Sequence, residues 1–172
     1  MSRIITVIGS RKTPLIYLEK LEDIAKECAD SGGWVRSGHA EGADYAAEKG
    51  AGKRCIVYMP WRNFNSQLPM LGQPYYEKGD TPDWVLDLVW NIHPNPEALN
   101  RTTWLFHCRN MYQILGTTGF QPTSAVYYWA PMSGLNPVGG TRSAVTLARY
   151  MGIPTFNVET AHLPTNDLLE EL

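Results

Sequence analysis

Apolar and polar positions along this chain alternate between two periods, one of strands and one of helices. Ile4 to Ile8 is a short β-branched apolar run, as in a strand buried on both faces, and it ends at Gly9-Ser10-Arg11. Thr13-Pro14 then reads as an N-cap and first helical residue. Leu18, Leu21, Ile24, Ala25 and Cys28 follow at helical spacing until Gly32-Gly33. The unit repeats: a strand from Trp34 to Ser37, a loop from Gly38 to Gly42, a short helix from Ala43 to Lys49 closed by Gly50. A third strand runs from Arg54 to Met59 and stops at Pro60.

From Trp61 to about Pro82 the pattern dissolves among Asn63, Asn65, Pro69, Gly72, Pro74 and Gly79, which predicts an irregular insertion. Two helices follow, from Asp83 to Ile92 and from Pro96 to Leu115. In the second, Trp104, Cys108, Met111 and Leu115 share one face, expected to be the core side. Ala125 to Ala130 gives a fourth strand, and a loop then leads to Gly139-Gly140-Thr141. A helix follows with Ala144, Leu147, Ala148 and Met151 inward, then a fifth strand from Ile153 to Val158 and a polar tail. Such alternation predicts one α/β domain over residues 1–172: helices on both faces of a mostly parallel sheet.

Composition changes this picture little. The 172 residues are 44% hydrophobic and 19% charged, enough for a full core. A net charge of -2 lacks the basic excess of a duplex-binding module, so contacts to nucleic acid would be local, through a few placed arginines. Cys28, Cys55 and Cys108 are dispersed in apolar stretches and read as buried thiols. His93, His107 and His162 are too scattered for a metal site, and no metal or cofactor is expected. No signal-peptide core or membrane-length apolar run occurs, so a cytoplasmic protein is expected.

The candidate chemistry lies in three loops where a strand hands over to a helix: Gly9 to Arg11, Ser37 to Asp44 and Val138 to Arg142. In an open α/β sheet these gather at the carboxyl edge of the strands, where ligands bind. Glycines there let backbone N–H groups approach a phosphate, beside helix N-termini. Candidate phosphate-binding residues are Gly9, Ser10, Arg11, Ser37, Gly38, His39, Gly42, Asp44, Asn110, Gly139, Gly140, Thr141 and Arg142. His39 reads as a phosphate or water contact, or as a proton donor. Asp44 reads either as a site carboxylate or as a group serving the helix that follows. Arg109 and Asn110 are expected at the border of the core face of their helix. Neither GSR nor GGT fits the G-x-G-x-x-G or Walker pattern, so ordinary dinucleotide and ATPase readings fail. Trp61, Phe64, Tyr75, Tyr76, Trp84, Trp90 and Trp104 crowd the middle third, as packing or interface residues or as base-stacking surfaces.

GSR, then SGHAEGAD, then RNMYQILG and VGGTRSAVTLARYMGIPTFN, in that order, resemble the Rossmann core of DNA-processing protein A (DprA/Smf), particularly its short phage-type versions. That core is grouped with the phosphoribohydrolases in the SLOG superfamily. The resemblance implies a Rossmann-like three-layer fold that holds a nucleotide phosphate or single-stranded DNA, in DNA processing or recombination. It also implies a homo-oligomer. An alternative is a nucleotide N-glycosidase acting on a nucleoside monophosphate, with Glu41 as carboxylate and Arg109 as phosphate or transition-state partner. A sensor or sequestering protein for a nucleotide-derived signal would use the same pocket. The phosphoribohydrolases carry a glutamate shortly after their glycine pair; here Arg142, Ser143, Ala144 and Val145 follow, with no acid until Glu159.

Overall fold

The computed structural model describes residues 2–76 and 80–161; the polar tail from His162 lies outside the described residues. The chain runs β1 (Ile4–Gly9), α1 (Leu15–Asp30), β2 (Trp34–Ser37), α2 (Ala43–Ala51), β3 (Cys55–Tyr58) and β4 (Tyr75–Tyr76). It continues α3 (Asp83–Ile92), α4 (Arg101–Leu115), β5 (Ala125–Trp129), β6 (Met132–Ser133), β7 (Asn136–Pro137), α5 (Thr141–Tyr150) and β8 (Thr155–Asn157). Among the described residues the main sheet has six strands in the order β4-β3-β2-β1-β5-β8, all paired parallel.

The period-2 alternation of the strands divides the core in two. Ile5 and Val7 of β1 and Ala125 and Tyr127 of β5 pack with Leu21 and Ala25 of α1 and with the alanines of α2. Ile8, Val126 and Tyr128 face the other way, onto Val85 and Val89 of α3, Met111 and Ile114 of α4, and Leu147 of α5. The sheet is thus the middle of three layers, with the Rossmann-like arrangement expected from the sequence. The chain steps outward from β1 to β4, recrosses over the second face through α3 and α4, and re-enters at β5 on the other side of β1. The order therefore reverses between β1 and β5, the position where open α/β sheets leave a crevice at their carboxyl edge.

Several local expectations are corrected. Pro96 to Leu115 is not one helix: Pro96–Ala98 is a 3-10 turn, and α4 begins at Arg101. Asn100 stops the first segment in an extended conformation and caps the second, its side chain accepting the Thr103 N–H at 2.9 Å. The residue before α1 is Pro14, not Thr13, whose buried hydroxyl instead donates to the Ser10 carbonyl. Gly50 lies inside α2 and does not end it. The insertion contains the edge strand β4, and residues 132–137 form a small antiparallel pair. Trp104 is only half-buried, stacked on the exposed Trp90, while nearly every residue of α4 from His107 to Leu115 is buried. Arg109 and Asn110 are thus interior, not border, residues.

One buried arginine lies at the end of α4. Arg36 of β2, 1% exposed, donates from Nη1 to the carbonyls of Ile114 (3.2 Å), in the last turn, and of Gln121 (2.8 Å), in the loop beyond, while the Thr123 and Gln121 N–H groups fold back onto the Ile114 and Leu115 carbonyls. Its positive charge lies at the negative end of the α4 dipole. Among the described residues no helix is long and apolar enough to cross a membrane.

Candidate functional site

The first two predicted loops leave the carboxyl ends of β1 and β2, the third follows the small β6–β7 pair beyond β5, and the structure draws all three together. Gly9 ends β1 where an added Cβ would lie 2.7 Å from both the Ala43 Cβ and the Trp129 carbonyl, so the first loop is pressed onto α2 and β5. Gly42 has a φ of +87°, and a Cβ there would come within 2.9 Å of the Ser10 carbonyl. The second loop thereby touches the first through a residue that only glycine fills without strain.

The other links come from α4. Arg109 donates from Nη1 to the Gly38 carbonyl at 3.0 Å, and from Nη2 to the Asn110 side-chain oxygen at 3.3 Å. Asn110 in turn donates from Nδ2 to the Gly140 carbonyl (2.6 Å) and to the Ser143 hydroxyl (3.0 Å). Two consecutive residues thus tie the second loop to the third. His107 completes the support: its Nδ1 lies 2.7 Å from the Ser143 Oγ. Burial, with the nearby charges of His93 and Arg109, lowers the His107 pKa to about 4, so the ring is neutral at pH 7.

Ser37, His39 and Asp44 point into the protein. The Ser37 hydroxyl donates to Glu48 Oε1 at 2.7 Å. His39 meets Glu48 Oε2 through Nδ1 (2.8 Å) and the Gln67 carbonyl through Nε2 (2.9 Å). Both partners only accept, so these bonds call for a doubly protonated ring. Burial opposes that charge, but the hydrogen bond and the charge of Glu48 outweigh it and raise the His39 pKa. Neither ring nitrogen is left for a phosphate. Asn65 Nδ2 donates to the His39 carbonyl, and Gln73 Nε2 to the Glu48 carbonyl, so the same cluster straps the insertion over α2.

Asp44 sits in the first turn of α2 and accepts the Ala40 N–H at 3.1 Å, bracing the second loop from within. Burial raises its pKa to about 6, against the opposing pull of Arg109 and with a further push from Glu48. Arg109 is only 8% exposed; its guanidinium carbon lies 5.3 Å from the Phe106 ring and 5.9 Å from that of Phe64. The sequence reading missed Glu48, Ser143 and Phe106, while Phe64, singled out there among the aromatics, packs beside Arg109. Glu48 carried a weak signal, one helical turn beyond Asp44.

What faces outward is a different set. Arg11 is exposed on the first loop, with its guanidinium 5.9 Å from the centroid of Phe106. Lys12 is exposed beside it, as is Glu41 on the second loop. Gly139, Gly140 and Arg142 are exposed on the third, where α5 begins with no side-chain cap. Thr141 is buried. One strand further along the same edge, a cavity of about 270 Å³ opens between the ends of β3 and β4 and the side of α4, and Arg109 forms part of its wall.

The family model for DNA recombination-mediator protein A matches residues 1–59, which hold β1, α1, β2, α2 and the first two loops. DNA processing protein A from Helicobacter pylori, a structure described for its unique single-stranded DNA binding mode, superposes with a TM-score of 0.54 at 19% identity. The match covers 98% of this chain and 72% of that one. Residues 1–59 thus resemble DNA recombination-mediator protein A, and the chain as a whole shares a Rossmann-type fold with the Helicobacter pylori protein. The molybdenum cofactor carrier protein of Chlamydomonas reinhardtii shares the fold at a TM-score of 0.54 and 16% identity, over 90% of this chain and 75% of that one. No curated protein sequence matches the chain. The DprA-like segment ends at the C-terminus of β3, so Arg109, Asn110 and the glycine pair lie beyond it.

Proposed function

We propose that this DprA-like protein binds single-stranded DNA, or the phosphate of a nucleotide, at the carboxyl edge of its sheet, in a DNA-processing role. The observation that carries the reading is the outward-facing set on the two loops flanking the reversal between β1 and β5. Arg11 and Lys12 lie on one side, and Arg142 and the uncapped N-terminus of α5 on the other. Backbone N–H groups at a helix start favour an anion, and arginine adds charge-assisted bonds. Arg109 and Asn110 act from behind, holding the loops that present this set.

With a net charge of -2, nonspecific attraction is weak, so the binding rests on these few cations. Anisotropy titrations of a labelled single strand across a salt series test this. Binding is expected at low salt, with log affinity falling linearly against log salt. Arg11→Ala and Arg142→Ala should each reduce the slope by roughly 0.7, the effect of one lost phosphate contact on a single strand. No binding at low salt, or slopes unchanged in both variants, would overturn the proposal.

A further inference from the structure

The helix α3 is apolar on two sides. Val85 and Val89 turn into the core beside α4, while Leu86 and Trp90, also one helical turn apart, face solvent. Trp90 keeps 51% of its surface exposed and stacks on the half-buried Trp104 of α4, with ring centroids 6.4 Å apart and planes 22° apart. Scattered exposed apolar residues are ordinary. Two adjoining tryptophans with a leucine beside them form a patch of the kind that protein interfaces bury.

Charges flank this patch in a definite order. The two helices run antiparallel: Trp90 meets Trp104, and further back along α3 Trp84 meets Tyr112, further on along α4. Asp87 precedes Trp90 by three residues and Arg101 precedes Trp104 by three, so each shares the face of its tryptophan. Both are exposed, and among the described residues neither is in an ion pair. The acid therefore lies on one side of the tryptophan pair and the arginine on the other, each displaced along its helix by about 4.5 Å, the rise of three residues.

We infer that this face pairs with the same face of a second copy, about a two-fold axis through the tryptophan pair. Such an axis lays the partner's α4 across α3 and the partner's α3 across α4. It sets Trp90 against the partner's Trp104 and Asp87 against the partner's Arg101, and each contact occurs twice, as in an isologous dimer. The equal offsets make the face complementary to itself, because a half-turn exchanges its acidic and basic sides. A partner of a single charge sign would leave one of the two unmatched. The pairing is independent of strand binding, since none of these residues lies on the three loops.

Sedimentation equilibrium of the full chain over a dilution series tests this. The parent is expected to show twice the chain mass at high concentration and to dissociate on dilution. Trp90→Glu should raise the dissociation constant by at least about 30-fold, the effect of losing an interface hot spot. Asp87→Arg and Arg101→Asp alter only exposed side chains, so they decide the matter even if the tryptophan variant folds poorly. Each alone should weaken the dimer by setting like charges together, and the double variant should recover most of the parent's affinity. A parent that is monomeric at every concentration overturns the proposal. So does a dimer that Trp90→Glu leaves intact, or a double variant no tighter than either single one.

Discussion

Glu48 shows how one residue unites the second loop, α2 and the insertion. It accepts the Ser37 hydroxyl with one oxygen and the protonated His39 ring with the other, at 4% exposure. Truncating it strands a buried charge, which typically costs 3–5 kcal/mol. Glu48→Ala is therefore expected to lower stability by about 3 kcal/mol in urea unfolding and to speed amide exchange around Asn65 and Gln67. Glu48→Gln should cost less than half as much. A neutral His39 can accept from the amide at Nδ1 and still donate from Nε2 to the Gln67 carbonyl. Equal costs for the two variants would show that the charge contributes nothing. None of this was legible from spacing, because His39 in a glycine loop reads as a ligand contact until its two buried acceptors are seen. The three loops themselves were legible, since strand-to-helix turns carry their own glycines and N-terminal signals. Arg36, Gln113 and Asn110 were not, because a polar residue is placed inside by partners distant in sequence.

At the scale of elements, strong periodicity located the helices well and weak periodicity failed. The predicted bounds of α3 and β2 agree with the structure, while the two-residue β4 has no pattern of its own. It is defined by backbone pairing alone: the Val57 N–H to the Pro74 carbonyl and the Met59 N–H to the Tyr76 carbonyl. Gly50, read from sequence as a helix stop, is instead a contact point between α1 and α2. A Cβ added there would run into the Glu22 carbonyl of α1 and lie 3.2 Å from the Ala25 Cβ. Backbone cannot yield as a flexible side chain does, so the helices must separate. Gly50→Ala is expected to destabilise by roughly 1–3 kcal/mol, despite alanine's better helix propensity. Thermal unfolding should then shift down by several degrees for a chain of this size. A stabilised Gly50→Ala variant would mean that α1 and α2 pack less tightly than described.

For the whole molecule, the interior titratable groups set how stability changes with pH, and two of them oppose each other. His107 has its pKa lowered to about 4 from an ordinary 6.5, so the unfolded chain binds its proton first on acidification. Its contribution is full above pH 6.5 and is lost as the pH falls from there through 4. Asp44 is the reverse case, with a pKa raised to about 6 from 3.8. Its contribution is full below pH 3.8 and is lost as the pH rises through 6. His39, raised by Glu48, acts outside this window: its contribution fades only above its ordinary value of 6.5. Between pH 4 and 6, then, the His107 loss and the Asp44 gain on acidification offset each other. Asp44→Asn removes the gain, so its stability relative to the parent should worsen steadily as the pH falls from 6 to 4. His107→Gln removes the loss and should improve relative to the parent over the same interval. Urea midpoints measured across that range for parent and variants give both differences directly, with the other carboxylates common to each pair. Parallel pH profiles for parent and Asp44→Asn would mean that Asp44 titrates as an exposed carboxylate, and that Arg109 offsets its burial in full.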